Sequence, residues 1–153
     1  MTNPDLLRYS RKLDDLFQKA QQLSQDPELQ SHWSRYLCVL VCGFLETGVR
    51  TTYGEYARTK AHPNVGRYVN KQLGLFRSPN MGHILDLTRL FCKEWAEDLE
   101  LQTDGELKDA VNSIVAIRHQ IAHGNDTGIS YVQVRQYYRS VVKVIKLLEE
   151  QCS

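Results

Sequence analysis

A chain of 153 residues, 42% apolar and 24% charged, has the length and composition for one domain, 1–153, built around a hydrophobic core. Its formal net charge of +1 argues against binding nucleic acid by bulk charge. No apolar run approaches the roughly 20 residues of a membrane span, and the start Met1-Thr2-Asn3-Pro4-Asp5 lacks the pattern of a leader, so a cytoplasmic protein without a membrane partner is expected.

Asp5 to Gln25 repeats Leu6, Leu13 and Ala20 at one heptad position and Tyr9, Leu16 and Leu23 at another, which predicts an amphipathic packing helix. Asp26-Pro27 ends it and opens the next helix, with Asp26 as cap and Pro27 in the first turn. Trp33, Tyr36, Leu37, Leu40, Val41 and Phe44 give that helix the broad apolar face of a central element. Cys38 and Cys42 share this run, and with Cys92 and Cys152 they match no zinc spacing, so packed thiols and no metal are expected. Glu46 and Arg50 stand four apart, which reads either as an ion pair along the helix or as a carboxylate that orients Arg118 or a His.

From Thr51 to Pro79 the helical pattern breaks at Gly54, Pro63, Gly66, Gly74 and Pro79, which reads as a long connection holding a short helix over 64–75. Tyr53, Tyr56, Tyr68 and Phe76 interleave here with Arg58, Lys60, Arg67, Lys71 and Arg77. Aromatic faces for bases and cations for phosphates are what single-stranded RNA requires, so these cations and Arg50 are candidate RNA contacts. The alternative is aromatics plugging the core and cations facing water. Six Lys and Arg against Glu55 over 50–77, and seven acidic residues against Lys108 over 94–109, give either a polarised surface or two solvated faces.

Ser78-Pro79 reads as the start of a third main helix, with Ile84, Leu85, Leu87, Leu90, Phe91 and Trp95 inward, followed by a polar link from Asp98 to Asp104. Glu106 to His123 is the next helix, stopped by Gly124. Asn125-Asp126-Thr127-Gly128 is a turn cluster, and Ser130 with Gln133 forms a capping box before a last helix through Val134, Val141, Ile145 and Leu148. No strand alternation is visible. The expected fold is an all-α bundle of four or five longer helices plus the short helix in the 51–79 connection.

The stretch with chemistry is Ile114-Val115-Ala116-Ile117-Arg118-His119-Gln120-Ile121-Ala122-His123-Gly124. A guanidinium and two imidazoles close an otherwise apolar helix, and the helix-end carbonyls favour a cation there. Arg118 lies about 7.5 Å up the axis from His123 and about 140° around it, so the two do not share one line of the helix. Eleven Arg and five His make a chance match to such a spacing easy. Arg77 and His83 supply one, but Ser78-Pro79 lies between them, and that pair straddles a loop.

Arg118 to His123 resembles the R-x4-6-H signature of the HEPN superfamily, small all-helical proteins that are often metal-independent RNases, and His119 matches the polar residue that commonly follows the Arg. The layout is most similar to the RiboL-PSP-HEPN branch, with a long early helix carrying an internal Glu, here Gly43-Phe44-Leu45-Glu46, and the motif on the helix next to last. The resemblance implies an endoribonuclease without a cofactor, a toxin or defence effector whose composite active site forms at a homodimer interface. It implies Arg118 as the phosphate clamp, His123 as the principal imidazole, His119 and Asn125 positioning substrate, and Glu46 orienting the group nearest it. An antitoxin or regulatory protein is an expected further partner. Some HEPN toxins carry a modifiable Tyr two residues after the His; Asn125 stands there, which puts that control in doubt. Two alternatives remain open: a non-catalytic HEPN domain that binds a nucleotide, an RNA or a protein, and a plain helical dimerisation module.

Overall fold

Asn3 and Pro4 begin the first helix as their chemistry dictates: Asn3 Oδ1 accepts the N–H groups of Asp5 and Leu6 at 2.9 and 3.2 Å, and Pro4 occupies the first turn. In the computed structural model, which describes residues 1–153, seven helices follow in order with no strand. They are α1 (Pro4–Gln21), α2 (Pro27–Lys60), α3 (Pro63–Leu73), α4 (Met81–Phe91), α5 (Lys93–Thr103), α6 (Glu106–Ala122) and α7 (Tyr131–Cys152). The expected all-α bundle is present. Asp26 caps α2 through Leu29 N–H at 3.2 Å, and Ser130 and Gln133 form the reciprocal capping box of α7.

Two expectations about continuity are corrected. The helical pattern does not break at Thr51: α2 runs unbroken for 34 residues to Lys60, and Gly54 lies inside it. Gly54 is a contact point for α3, where an added Cβ would stand 2.5 Å from Asn70 Oδ1. Asn70 Nδ2 in turn donates to the Gly66 carbonyl at 3.0 Å. A bare backbone there lets the two helices approach closely. The predicted short helix is α3.

The third main helix is two elements. Cys92 adopts φ −160° and ψ 121°, closing α4 and opening α5, and residues expected as a polar link from Asp98 continue α5 to Thr103. With an acidic outer face, α5 buries only Ala96, Leu99 and Thr103, so it depends on that narrow stripe. The helix after Ser78-Pro79 begins at Met81, capped by Asn80 Oδ1 on His83 N–H at 2.9 Å, and Leu90, expected inward, is 85% exposed because the helix closes two residues later at Cys92.

The core is one cluster centred on α2, which packs against α7, α1, α6 and α3. Leu37, Val41, Phe44, Leu45 and Val49 from α2 meet Ile114 from α6 and Val141, Val144, Ile145 and Leu148 from α7, all fully buried. Each such side chain contributes roughly 1.5–3 kcal/mol on burial. Tyr138 joins α7 to α1, stacked on Phe17 at 5.1 Å with its hydroxyl 3.0 Å from Asp14 Oδ1. This packing fixes α6 on both α2 and α7 and leaves its C-terminal end at the surface.

Candidate functional site

The end of α6 is built by its stop residue. Gly124 sits at φ +74°, in the left-handed region, and turns the chain back. Asn125 N–H reaches the Gln120 carbonyl at 2.9 Å and Gly124 N–H the Ile121 carbonyl at 3.0 Å, the paired bonds of a Schellman ending. His123 is the C-cap residue, one position beyond the last helical residue. Its ring meets that of His119, one turn earlier, edge to face with centroids 4.4 Å apart. Both rings are exposed.

Arg118 stands apart from the other arginines. Three are half-buried: Arg35, Arg50 and Arg118. Arg35 pairs with Asp126 at 3.2 Å, and Arg50 pairs with Glu46 at 2.9 Å while its Nε donates to the Phe76 carbonyl at 3.2 Å. Arg118 has no hydrogen bond or ion pair inside the chain. It lies on the seam between α6 and α2: burial pushes the Cys42 thiol up to about 11, against the opposing pull of the Arg118 charge.

Arg118 opens onto a cleft of about 580 Å³, within the roughly 300–1,000 Å³ of small-ligand sites. Asn112, Val115, Ala116 and His119 line it from α6 at positions i, i+3, i+4 and i+7 of one helix face. The opposite wall is Ser78, Asn80, Gly82 and His83, the turn before α4 and its first residues. Asn112 Oδ1 accepts Met81 N–H at 2.9 Å and fastens that turn to α6. The site thus gathers a guanidinium and two imidazoles suited to a phosphate, beside the first turn of α4, whose Met81 and His83 N–H groups are taken by Asn112 and Asn80. A more apolar groove of about 360 Å³ runs between α1 and α2, beside Tyr9, Leu16 and Leu40, but holds no imidazole.

Arg118 and His119 line the cleft, whereas His123 stands beside it through its contact with His119. Asn125 is exposed at the helix end, engaged through its backbone. Glu46 lies against Arg50, not against Arg118 or a histidine. Of the proposed RNA contacts, Arg50 and Arg77 are held by backbone carbonyls, the latter by Gly74 and Phe76 at 2.7 and 2.9 Å, and Arg58 pairs with Glu55. Lys60, Arg67 and Lys71 are exposed and unpaired. Among the aromatics, Tyr53 is fully buried and stacks on Phe91, and Tyr56 packs on Trp95, while Tyr68 is 65% exposed. Sequence reasoning set His83 aside, because its spacing partner Arg77 lies across a loop. The discarded match was the one signal for it.

No group of three or more His, Cys, Asp or Glu converges as metal ligands would. No helix is long and apolar enough to cross a membrane. Comparison with protein families finds that the family model described as RiboL-PSP-HEPN fits residues 4–153. No curated protein and no solved structure matches the chain.

Proposed function

This chain belongs to the RiboL-PSP-HEPN family, and from that premise we propose that it is a metal-independent endoribonuclease. The observation that carries this reading is Arg118, a half-buried guanidinium without a partner, opening with His119 onto a cleft of nucleotide size. A charge kept from water without a counter-ion costs stability, and an anionic ligand supplies what is missing.

Arg118 clamps the scissile phosphate through its fork and stabilises the charge that builds on the phosphoryl oxygens. An imidazole accepts the 2′-OH proton, the 2′-oxygen attacks phosphorus, and the bond to the 5′-oxygen breaks. An imidazolium returns a proton to that oxygen, which leaves a 2′,3′-cyclic phosphate and a 5′-hydroxyl. His123 is the principal imidazole of the motif, with His119 beside it and Asn125 contacting substrate. A two-fold homodimer brings two such helix ends to one cleft. In the cell the enzyme acts in the cytoplasm as a toxin or defence effector, silenced by an antitoxin or regulatory protein.

Labelled RNA incubated with the purified protein and a chelator tests this. The expected result is chelator-resistant cutting that ends in a cyclic phosphate and is lost in Arg118→Ala and His123→Ala. Both variants cleaving at the wild-type rate removes the mechanism. A second reading, a non-catalytic domain that binds a nucleotide, an RNA or a protein, is favoured by Glu46, which is committed to Arg50 and not to the motif. RNA bound but never cut selects it.

A further inference from the structure

We propose that His83 is a second catalytic imidazole of this cleft, supplied by the same chain as Arg118; the proposal rests on the nuclease reading above. His83 faces the motif from the opposite wall, and its position is over-determined. Its backbone N–H is held by Asn80 Oδ1 at 2.9 Å, and its ring Nδ1 lies 2.8 Å from the Ser78 carbonyl oxygen. The Asn80 amide nitrogen also lies 3.4 Å from Nδ1, but the nearer carbonyl can only accept, which assigns the hydrogen to Nδ1 and leaves the lone pair on Nε2. The turn that presents the carbonyl is strained: Ser78 has φ +52°, the one non-glycine residue in the left-handed region. Such strain gathers where the surrounding structure holds a group for use. The Asn112–Met81 bond ties this turn to the α6 face that carries His119.

His83 therefore has an arginine partner, but not the one its spacing suggests. Arg77 is bonded to the carbonyls of Gly74 and Phe76, whereas Arg118 is the unpaired guanidinium of the same cleft. The first turn of α4 also brings its positive dipole end to that cleft, which favours phosphate beside the ring. His83 Nε2 takes the proton of the 2′-OH as the 2′-oxygen forms its bond to phosphorus. The bond to the 5′-oxygen breaks, and the protonated imidazole of the motif donates to that oxygen. His83 ends protonated and the motif imidazole neutral, and both reset with solvent. The acid–base pair thus lies inside one protomer, beside the helix end that the two-fold partner brings to the cleft.

The test uses the full chain, labelled RNA and a chelator. His83→Asn keeps a donor at the Nδ1 position for the Ser78 carbonyl and removes Nε2. It is expected to melt like the wild type, to lose about 10²-fold or more in rate, and to lose the acidic limb of the pH–rate profile. His83→Ala is expected to regain activity with added imidazole. Wild-type rate and both limbs in His83→Asn, with Arg118→Ala inactive, overturn the proposal while sparing the nuclease reading. Wild-type protein that leaves RNA intact removes the nuclease reading and this inference with it.

Discussion

At the scale of single residues, Arg50 and Arg118 separate structure from function. Both are half-buried, but Arg50 satisfies Glu46 and the Phe76 carbonyl, and Arg118 satisfies nothing in the chain. Arg50→Met leaves a half-buried carboxylate and a carbonyl unpaired, and a loss of about 2 kcal/mol is expected in denaturant unfolding. Arg118→Met orphans no group and is expected within about 0.5 kcal/mol of the wild type, or above it, while RNA cleavage disappears. Equal destabilisation of the two would show that Arg118 is a packing residue. Protons tell a parallel story. Burial pushes the thiols of Cys42 and Cys152 up to about 11, and burial pushes Cys38 and the Tyr138 hydroxyl up to about 12. The ordinary values are 9.0 for the thiol and 10.0 for the phenol, so the folded state holds its protons more tightly than the unfolded chain. Their contribution to stability is complete below those ordinary values and is lost as pH rises to the raised ones. The melting temperature should therefore fall between about pH 9 and 12, and a flat profile across that window would contradict the burial of these groups.

Elements show which features are local and which depend on the rest of the fold. Asn3-Pro4, Asp26-Pro27 and the Ser130–Gln133 box start helices by bonds within a few residues, so the sequence displays them. Gly124 ends α6 in the same local way. Gly54 and Cys92 do not yield to such reasoning, because what decides them is packing between distant elements. Gly54 continues a helix because α3 packs on it, and Cys92 interrupts one although neither Pro nor Gly is present there. The site divides likewise: Arg118, His119 and His123 belong to one helix end and are legible as a motif. His83 belongs to another element and becomes visible only when α4 is laid against α6. The same distinction sets two glycine outcomes. Gly48→Ala places a Cβ 2.6 Å from Cδ1 of fully buried Ile145, so Ile145 must leave its place or α2 and α7 must part, and a loss of about 1–3 kcal/mol is expected. Gly124→Ala meets nothing within 4 Å, and its cost is the left-handed backbone alone, about 1–2 kcal/mol. Denaturant unfolding of both, with cleavage assays, checks the pair. Gly48→Ala should keep its specific activity when folded, whereas Gly124→Ala should lose some through a displaced His123.

For the whole molecule the proposed function raises the question of how a chain of net charge +1 would hold a polyanion. Bulk attraction is absent, so affinity must come from a few placed cations. The basic stretch from Arg50 to Arg77 is thinner than its composition suggests, since Arg50, Arg58 and Arg77 are engaged within the fold. What remains is the end of α2 and the outer face of α3: Lys60, Arg67 and Lys71, with Tyr68 offering an exposed ring between them. From α3 the chain runs through Gly74 to Ser78 in the cleft wall, and on the nuclease reading RNA leaving the cleft is expected to follow this face. Replacing Lys60, Arg67 and Lys71 with Ala should weaken RNA binding and lower the slope of log affinity against log salt by about 0.7 for each phosphate no longer neutralised, about 2 in total. Tyr68→Ala should weaken binding by removing a stacking surface, without changing that slope. In both variants the rate at saturating RNA should stay near that of the wild type, because the cleft groups are untouched. A salt dependence that survives the triple substitution would place the RNA path on another face.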